Sequence, residues 1–121
     1  MGTQRIFYFD HNTSNSISNI TITGGIQGNI ITGGGGMRLY YSNPILNNVT
    51  IKNNTSMTGG GLYLWSSDPI LNNVTINENT ASSNAGGIYM YLSNPILNNV
   101  VFSENIANIG TQKKIYINYP F

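Results

Sequence analysis

The chain has 121 residues, a formal charge of +1 and charged side chains at 7% of its positions. That is one domain's length, and so small a net charge does not point to a nucleic-acid or membrane-surface partner. It has no cysteine, no apolar run near the ~20 residues of a membrane span, and no start patterned as an export leader, so a leader is expected to lie outside this chain.

In chain order, GTQRIFYF at 2–9 alternates and predicts a strand, with Ile6 and Tyr8 on one side and Phe7 and Phe9 on the other. SISNITI at 16–22 predicts a second extended stretch. GGIQGNIITGGGG at 24–36 is rich in glycine, but it lacks the lysine of a phosphate-binding loop and precedes a strand, so it is no phosphate cradle.

From here the chain repeats itself. SNPILNNVTI at 42–51 returns as SDPILNNVTI at 67–76 and SNPILNNVVF at 93–102, with Pro44, Pro69 and Pro95 spaced by 25 and 26 residues. Glycine clusters at 34–36, 59–61 and 86–87 keep the same step. So do Ile51 and Asn54, Ile76 and Asn79, and Phe102 and Asn105. A fixed period of this size marks a stack of units, none of which buries its apolar face alone.

Each unit opens with an alternating stretch, GMRLYY, GLYLWS or GIYMYL, that predicts a strand. Met37, Leu39, Leu62, Leu64, Ile88 and Met90 fall inward, and Tyr40, Tyr63, Trp65, Tyr89 and Tyr91 fall outward with Arg38. Ser-Asn-Pro or Ser-Asp-Pro turns the chain, and a second strand follows. In it Val49, Val74 and Val100 face inward with Ile51, Ile76 and Phe102. NITI at 19–22 aligns with NVTI, which sets Ile17 against Leu46 and Ser16 against Ile45. A column that accepts serine is an outer one. Leu46, Leu71 and Leu97 are therefore expected in the core, and Ile45, Ile70 and Ile96 form an exposed stripe.

No stretch has capped helical periodicity. The expected fold is all-β, a single-stranded right-handed parallel β-helix of about four coils of 25–26 residues. It forms one domain over 1–121: a degenerate first coil at 1–33, three regular repeats at 34–109 and a terminal strand at 110–121. Stacked coils lie ~4.8 Å apart, so like meets like. Asn54, Asn79 and Asn105 form a ladder at one corner, because asparagine tolerates the left-handed conformation and its amide bonds the copy above.

GGG-hydrophobic-Tyr, then S-N-P, then N-V-T-I-x-x-N-T-A resembles the right-handed parallel β-helix repeats of secreted bacterial surface proteins. It is similar also to the GGA-I and F-x-x-N repeats of polymorphic membrane proteins. The resemblance covers 34–109 well and 15–33 loosely. It implies the fold and an extracellular or cell-surface location.

The acids are Asp10, Asp68, Glu78 and Glu104, with His11 the one histidine. Glu78 and Glu104 share a column, but so does Asn53, which reads as a solvent-facing position. Two acids on one flat ladder cannot flank a sugar from opposite sides. Asp68 has asparagines, Asn43 and Asn94, for column neighbours, and no set of oxygens converges as calcium requires. The chain is expected to be non-enzymatic and to need no cofactor or metal.

Two features point to partners. Tyr63, Tyr89 and Tyr116 share one column and Tyr40, Trp65 and Tyr91 the next, a surface for a partner protein, for glycans, or for ring-on-ring stabilisation of the sheet. The ends also match: GTQRIFYF at the start and GTQKKIYINY at 110–119. Ile115, Ile117 and Phe121 would then meet either Ile6 and Tyr8 or Phe7 and Phe9 of another copy, head to tail; Lys113 and Lys114 are otherwise gatekeepers that blunt the edge. The alternative neighbours are further repeats of a longer chain. The expected role is an extracellular structural module, a fibre or an adhesin shaft. The rival is carbohydrate binding or processing on the aromatic face.

Overall fold

The computed structural model describes residues 5–11, 15–27 and 33–108, and the backbone of 115–118. All of its regular structure is strand. The first coil holds β1 (Phe7–Asp10), β2 (Ser16–Ser18), β3 (Thr21–Thr23) and β4 (Ile26–Gln27). The second holds β5 (Met37–Tyr40), β6 (Ile45–Lys52) and β7 (Thr55–Ser56). The third holds β8 (Leu62–Trp65), β9 (Ile70–Asn77) and β10 (Thr80–Ala81). The fourth holds β11 (Ile88–Tyr91), β12 (Ile96–Ser103) and β13 (Ile106–Ala107), and β14 (Ile115–Asn118) follows it.

Each strand pairs in parallel with its counterpart one coil away, which yields three sheets. The aromatic sheet runs β1-β5-β8-β11-β14. The long sheet runs β12-β9-β6-β2, with β3 also on β6, and the short sheet runs β13-β10-β7-β4. The chain is a parallel β-solenoid of about four turns. Register follows the repeat: Leu46 pairs with Leu71 and Leu71 with Leu97, while Met37 pairs with Leu62 and Leu62 with Ile88.

The alternation places the core where the pattern predicts. Met37, Leu39, Leu46, Val49, Ile51, Leu62, Leu64, Leu71, Val74, Ile76, Ile88 and Met90 form one buried cluster with Ile22. Phe7 and Phe9 pack against it, whereas Ile6 and Tyr8 are exposed. The fourth coil departs from the expectation. Leu97 is 38% exposed where Leu46 and Leu71 are fully covered, and Val100 and Phe102 are half-buried. The cause is position: β12 is the last strand of the long sheet, so no described strand lies above it. Outside, Ile45 and Ile96 are exposed with Ile70 half-buried between them.

Among the described residues, four columns of left-handed residues bend the coils, three at the corners between sheets and one inside the long strands. The columns are Tyr41, Ser66 and Leu92; Asn48, Asn73 and Asn99; Asn53, Glu78 and Glu104; and Gly34, Gly59 and Ala85, with φ between 47° and 79°. The expectation that the ladder asparagines themselves adopt this conformation is corrected. The residue before each of them does, and that turn swings the asparagine inward.

Inside, Asn54, Asn79 and Asn105 are buried and bonded in one direction. The backbone N–H and Nδ2 of Asn54 both donate to Asn79 Oδ1 at 3.0 Å, and those of Asn79 donate to Asn105 Oδ1 at 3.1 and 3.0 Å. Each amide also donates back to the coil before it, as Asn79 Nδ2 does to the Ile51 carbonyl at 2.9 Å. The ladder begins at Gly25, whose N–H donates to Asn54 Oδ1 at 2.9 Å. No side chain fits there, because a Cβ would lie 1.9 Å from the Gly35 carbonyl oxygen. A second internal ladder, absent from the sequence reading, joins Ser42, Ser67 and Ser93. Each N–H donates to the next Oγ at 3.0 Å, and each hydroxyl donates to the carbonyl two residues earlier. Buried polar groups at these corners are thus paired, as a narrow core requires.

Candidate functional site

Two surfaces stand out: the outer face of the aromatic sheet and the open edge of the fourth coil. Period-two patterning points Tyr8, Arg38, Tyr63 and Tyr89 outward in one column, and Tyr40, Trp65 and Tyr91 outward in the next.

The first column is not a plain exposed row. Tyr63, expected on the surface, is buried, and Arg38 is only 8% exposed. The Arg38 guanidinium lies 4.8 Å from the Tyr63 ring centre, 5.5 Å from Tyr40 and 5.7 Å from Tyr8, while Arg5 sits 5.2 Å from Tyr8. Cations and rings alternate up the column as Arg5, Tyr8, Arg38, Tyr63, an arrangement that attracts through the ring quadrupoles. Nε and Nη1 of Arg38 have no hydrogen-bond partner among the described residues, so the ring faces stand in for acceptors. Arg5 donates from Nε and Nη2 to the Gly34 and Gly33 carbonyls at 3.0 and 3.2 Å. Burial, and then the nearby Arg38 charge, holds its pKa below the usual arginine value. Burial pushes the Tyr63 phenol up, partly opposed by the Arg38 charge.

Higher up, the rings stack on each other. Tyr63 and Tyr89 lie 5.1 Å apart at 14°, and Trp65 and Tyr91 lie 4.2 Å apart at 28°. Tyr40, Trp65, Tyr89 and Tyr91 remain half-exposed. A sugar ring stacks on an aromatic face, and in the Tyr63–Tyr89 and Trp65–Tyr91 pairs one face of each ring is turned to the ring one coil away. Alignment of GMRLYY with GLYLWS places Arg38 in the tyrosine column, so its position was readable in the sequence. Its burial was not.

The acids are dispersed. Glu78 and Glu104 are exposed corner residues. Asp68 serves as a rung: Asn94 N–H donates to its Oδ1 at 2.6 Å, and its own N–H donates to Asn43 Oδ1 at 2.7 Å. Asp10 is hydrogen-bonded to its neighbour His11. Among the described residues no three acidic or histidine side chains come together.

The edge of the fourth coil is the larger apolar feature. Leu97 and Ile96 are exposed on β12 with Val101, which is 51% exposed, and Ile106 is exposed on β13. At the opposite end, Ile6, Tyr8, Ile20 and Ile26 of the first coil are exposed. Of the expected assembly residues, Phe7 and Phe9 pack inward. Ile115 and Ile117 lie on β14, known by backbone alone, and their side chains, with Tyr116 and Phe121, lie outside the described residues. No protein family, curated protein or solved structure matches the chain. No helix among the described residues is long and apolar enough to cross a membrane.

Proposed function

We propose that the chain is a non-enzymatic structural module that joins further copies head to tail, as a fibre or the shaft of a surface adhesin outside the cell. The observation that carries this reading is the edge of β12. It is a parallel strand with half-covered Leu97 and Phe102 at the level where Leu46, Ile51, Leu71 and Ile76 are fully covered by the next coil. An open parallel edge with apolar residues is a template for another strand, and contacts that do not close on themselves build filaments. The extracellular setting follows from the resemblance to secreted bacterial β-helix repeats. Negative-stain electron microscopy with sedimentation of the purified chain tests the reading. Rods one solenoid wide that lengthen with concentration are the expected result, and the reading falls if neither the full chain nor a chain lacking 110–121 associates at any concentration.

A second reading, glycan binding on the aromatic face, draws on the half-exposed Tyr40, Trp65, Tyr89 and Tyr91. It predicts that Trp65→Ala abolishes polysaccharide binding with little loss of stability. Wild-type protein that binds nothing on a glycan array leaves ring stacking as the role of these columns.

A further inference from the structure

Among the described residues the aromatic sheet has five strands, whereas the long and short sheets rise through four levels. The additional strand is β14. Its register on β11 pairs Ile88 with Ile115 and Tyr91 with Asn118, and that of β1 on β5 pairs Phe7 with Met37 and Asp10 with Tyr40. Followed through β5, β8 and β11, one column runs Phe7, Met37, Leu62, Ile88, Ile115. β1 and β14 therefore hold the same position in the coil, four levels apart.

Their sequences agree at that offset of 108 residues. Gly2-Thr3-Gln4-Arg5 corresponds to Gly110-Thr111-Gln112-Lys113, and Phe7, Tyr8, Phe9 and Asp10 correspond to Ile115, Tyr116, Ile117 and Asn118. The hydrophobic, aromatic, hydrophobic, polar order is kept at all four strand positions. A strand that fits β11 through β14 is chemically a β1.

A second copy stacked on the fourth coil would set its β2 and β3 on the free edge of β12, the edge by which β6 pairs with β9. Ile17 would then cover Leu97 and Ile22 would cover Phe102, because Ile17 shares the column of Leu46, Leu71 and Leu97, and Ile22 that of Ile51, Ile76 and Phe102. Its β4 would take the free edge of β13, the edge by which β7 pairs with β10. Its β1 would need the edge of β11, where β14 already lies. The joint has room for one of the two strands.

We infer that β14 is an intramolecular stand-in for the β1 of a second copy, and that its seat on β11 holds back head-to-tail joining until it is displaced. This rests on the assembly proposed above. The asparagine ladder also stops at such a joint, because Gly25 of the incoming coil offers Asn105 no Oδ1. The incoming copy therefore competes through apolar cover of Leu97 and Phe102 and through backbone pairing alone. β14 competes with the advantage of a tethered strand, whose effective concentration is in the millimolar range.

Sedimentation velocity of the full chain and of a chain lacking 110–121 tests this, with circular dichroism to confirm that both are folded. The shortened chain is expected to associate at a concentration roughly tenfold lower or less, and a peptide of residues 110–121 added in trans to reverse it. A second variant, Tyr91→Cys/Asn118→Cys, ties β14 to β11 across a strand spacing of ~4.8 Å, within disulfide reach. Its association is expected to vanish on oxidation and return on reduction. If the full chain assembles and the shortened chain does so no better, the stand-in role is wrong and head-to-tail assembly survives. If neither chain associates at any concentration, the assembly reading itself falls.

Discussion

Glu78 and Glu104 occupy left-handed corners at φ 55° and 54°, where the second coil has Asn53 and the first has Gly24. A glutamate has no local hydrogen bond to offset that conformation, which costs ~1–2 kcal/mol for most L-residues and less for asparagine. Glu78→Asn is therefore expected to raise stability by about 0.5–1 kcal/mol, read as a higher urea midpoint at unchanged slope. The next residue behaves oppositely. Asn79→Ala strips the acceptor from the Asn54 N–H and a donor from the Ile51 carbonyl, both buried, and leaves Asn54 Nδ2 with the Ile22 carbonyl alone. At ~1–3 kcal/mol for each orphaned group, a loss of about 2 kcal/mol or more is expected in the same experiment. A loss below about 1 kcal/mol would mean that water replaces the ladder. The repeat made the asparagine column legible. It also set the neighbouring column of Asn53, Glu78 and Glu104 toward solvent, but the burial of the ladder amides follows only from the left-handed corner before each of them.

Among the elements, the inward and outward faces of β9 were legible because serine in the degenerate first coil marks the outer column. Leu71 is fully buried and Ile70 is half-buried on the opposite face. Leu71→Asp puts an unpaired charge in the core and is expected to unfold the chain, at a cost of several kcal/mol. Ile70→Asp is expected to keep a folded monomer, with circular dichroism melting as the measure of both. Folding of Leu71→Asp together with loss of fold in Ile70→Asp would invert the assignment. The aromatic columns were only half legible. Alternation gives the side of the sheet, but whether a ring shows its face or its edge depends on the ring above it. The covering of Tyr63 depends on its neighbours, Arg38 among them, and no single strand pattern contains that.

At the scale of the whole molecule, stability is a sum over coils and the interfaces between them. The central coils are the best covered, since their inward leucines, isoleucines and valines are buried from both sides. The unit from Asn54 to Glu78 is self-consistent: it starts on a ladder asparagine, and the residue after it is the next one, Asn79. A chain with 54–78 duplicated in place would carry the rung order Asn54, Asn54, Asn79, Asn105 and add one full set of strands to all three sheets. At a net 0.05–0.15 kcal/mol per residue, 25 more residues are expected to add roughly 1–4 kcal/mol. The melting transition should rise in temperature and remain single. The same duplication with glycine at the inserted ladder position imitates Gly25 in mid-stack, leaving the Nδ2 and N–H of the asparagine below without their acceptor. That variant is expected to lose most or all of the gain. Equal stabilisation with and without the inserted asparagine would show that apolar stacking alone holds the coils together. A duplicated chain less stable than the original would show that the coils are not interchangeable units.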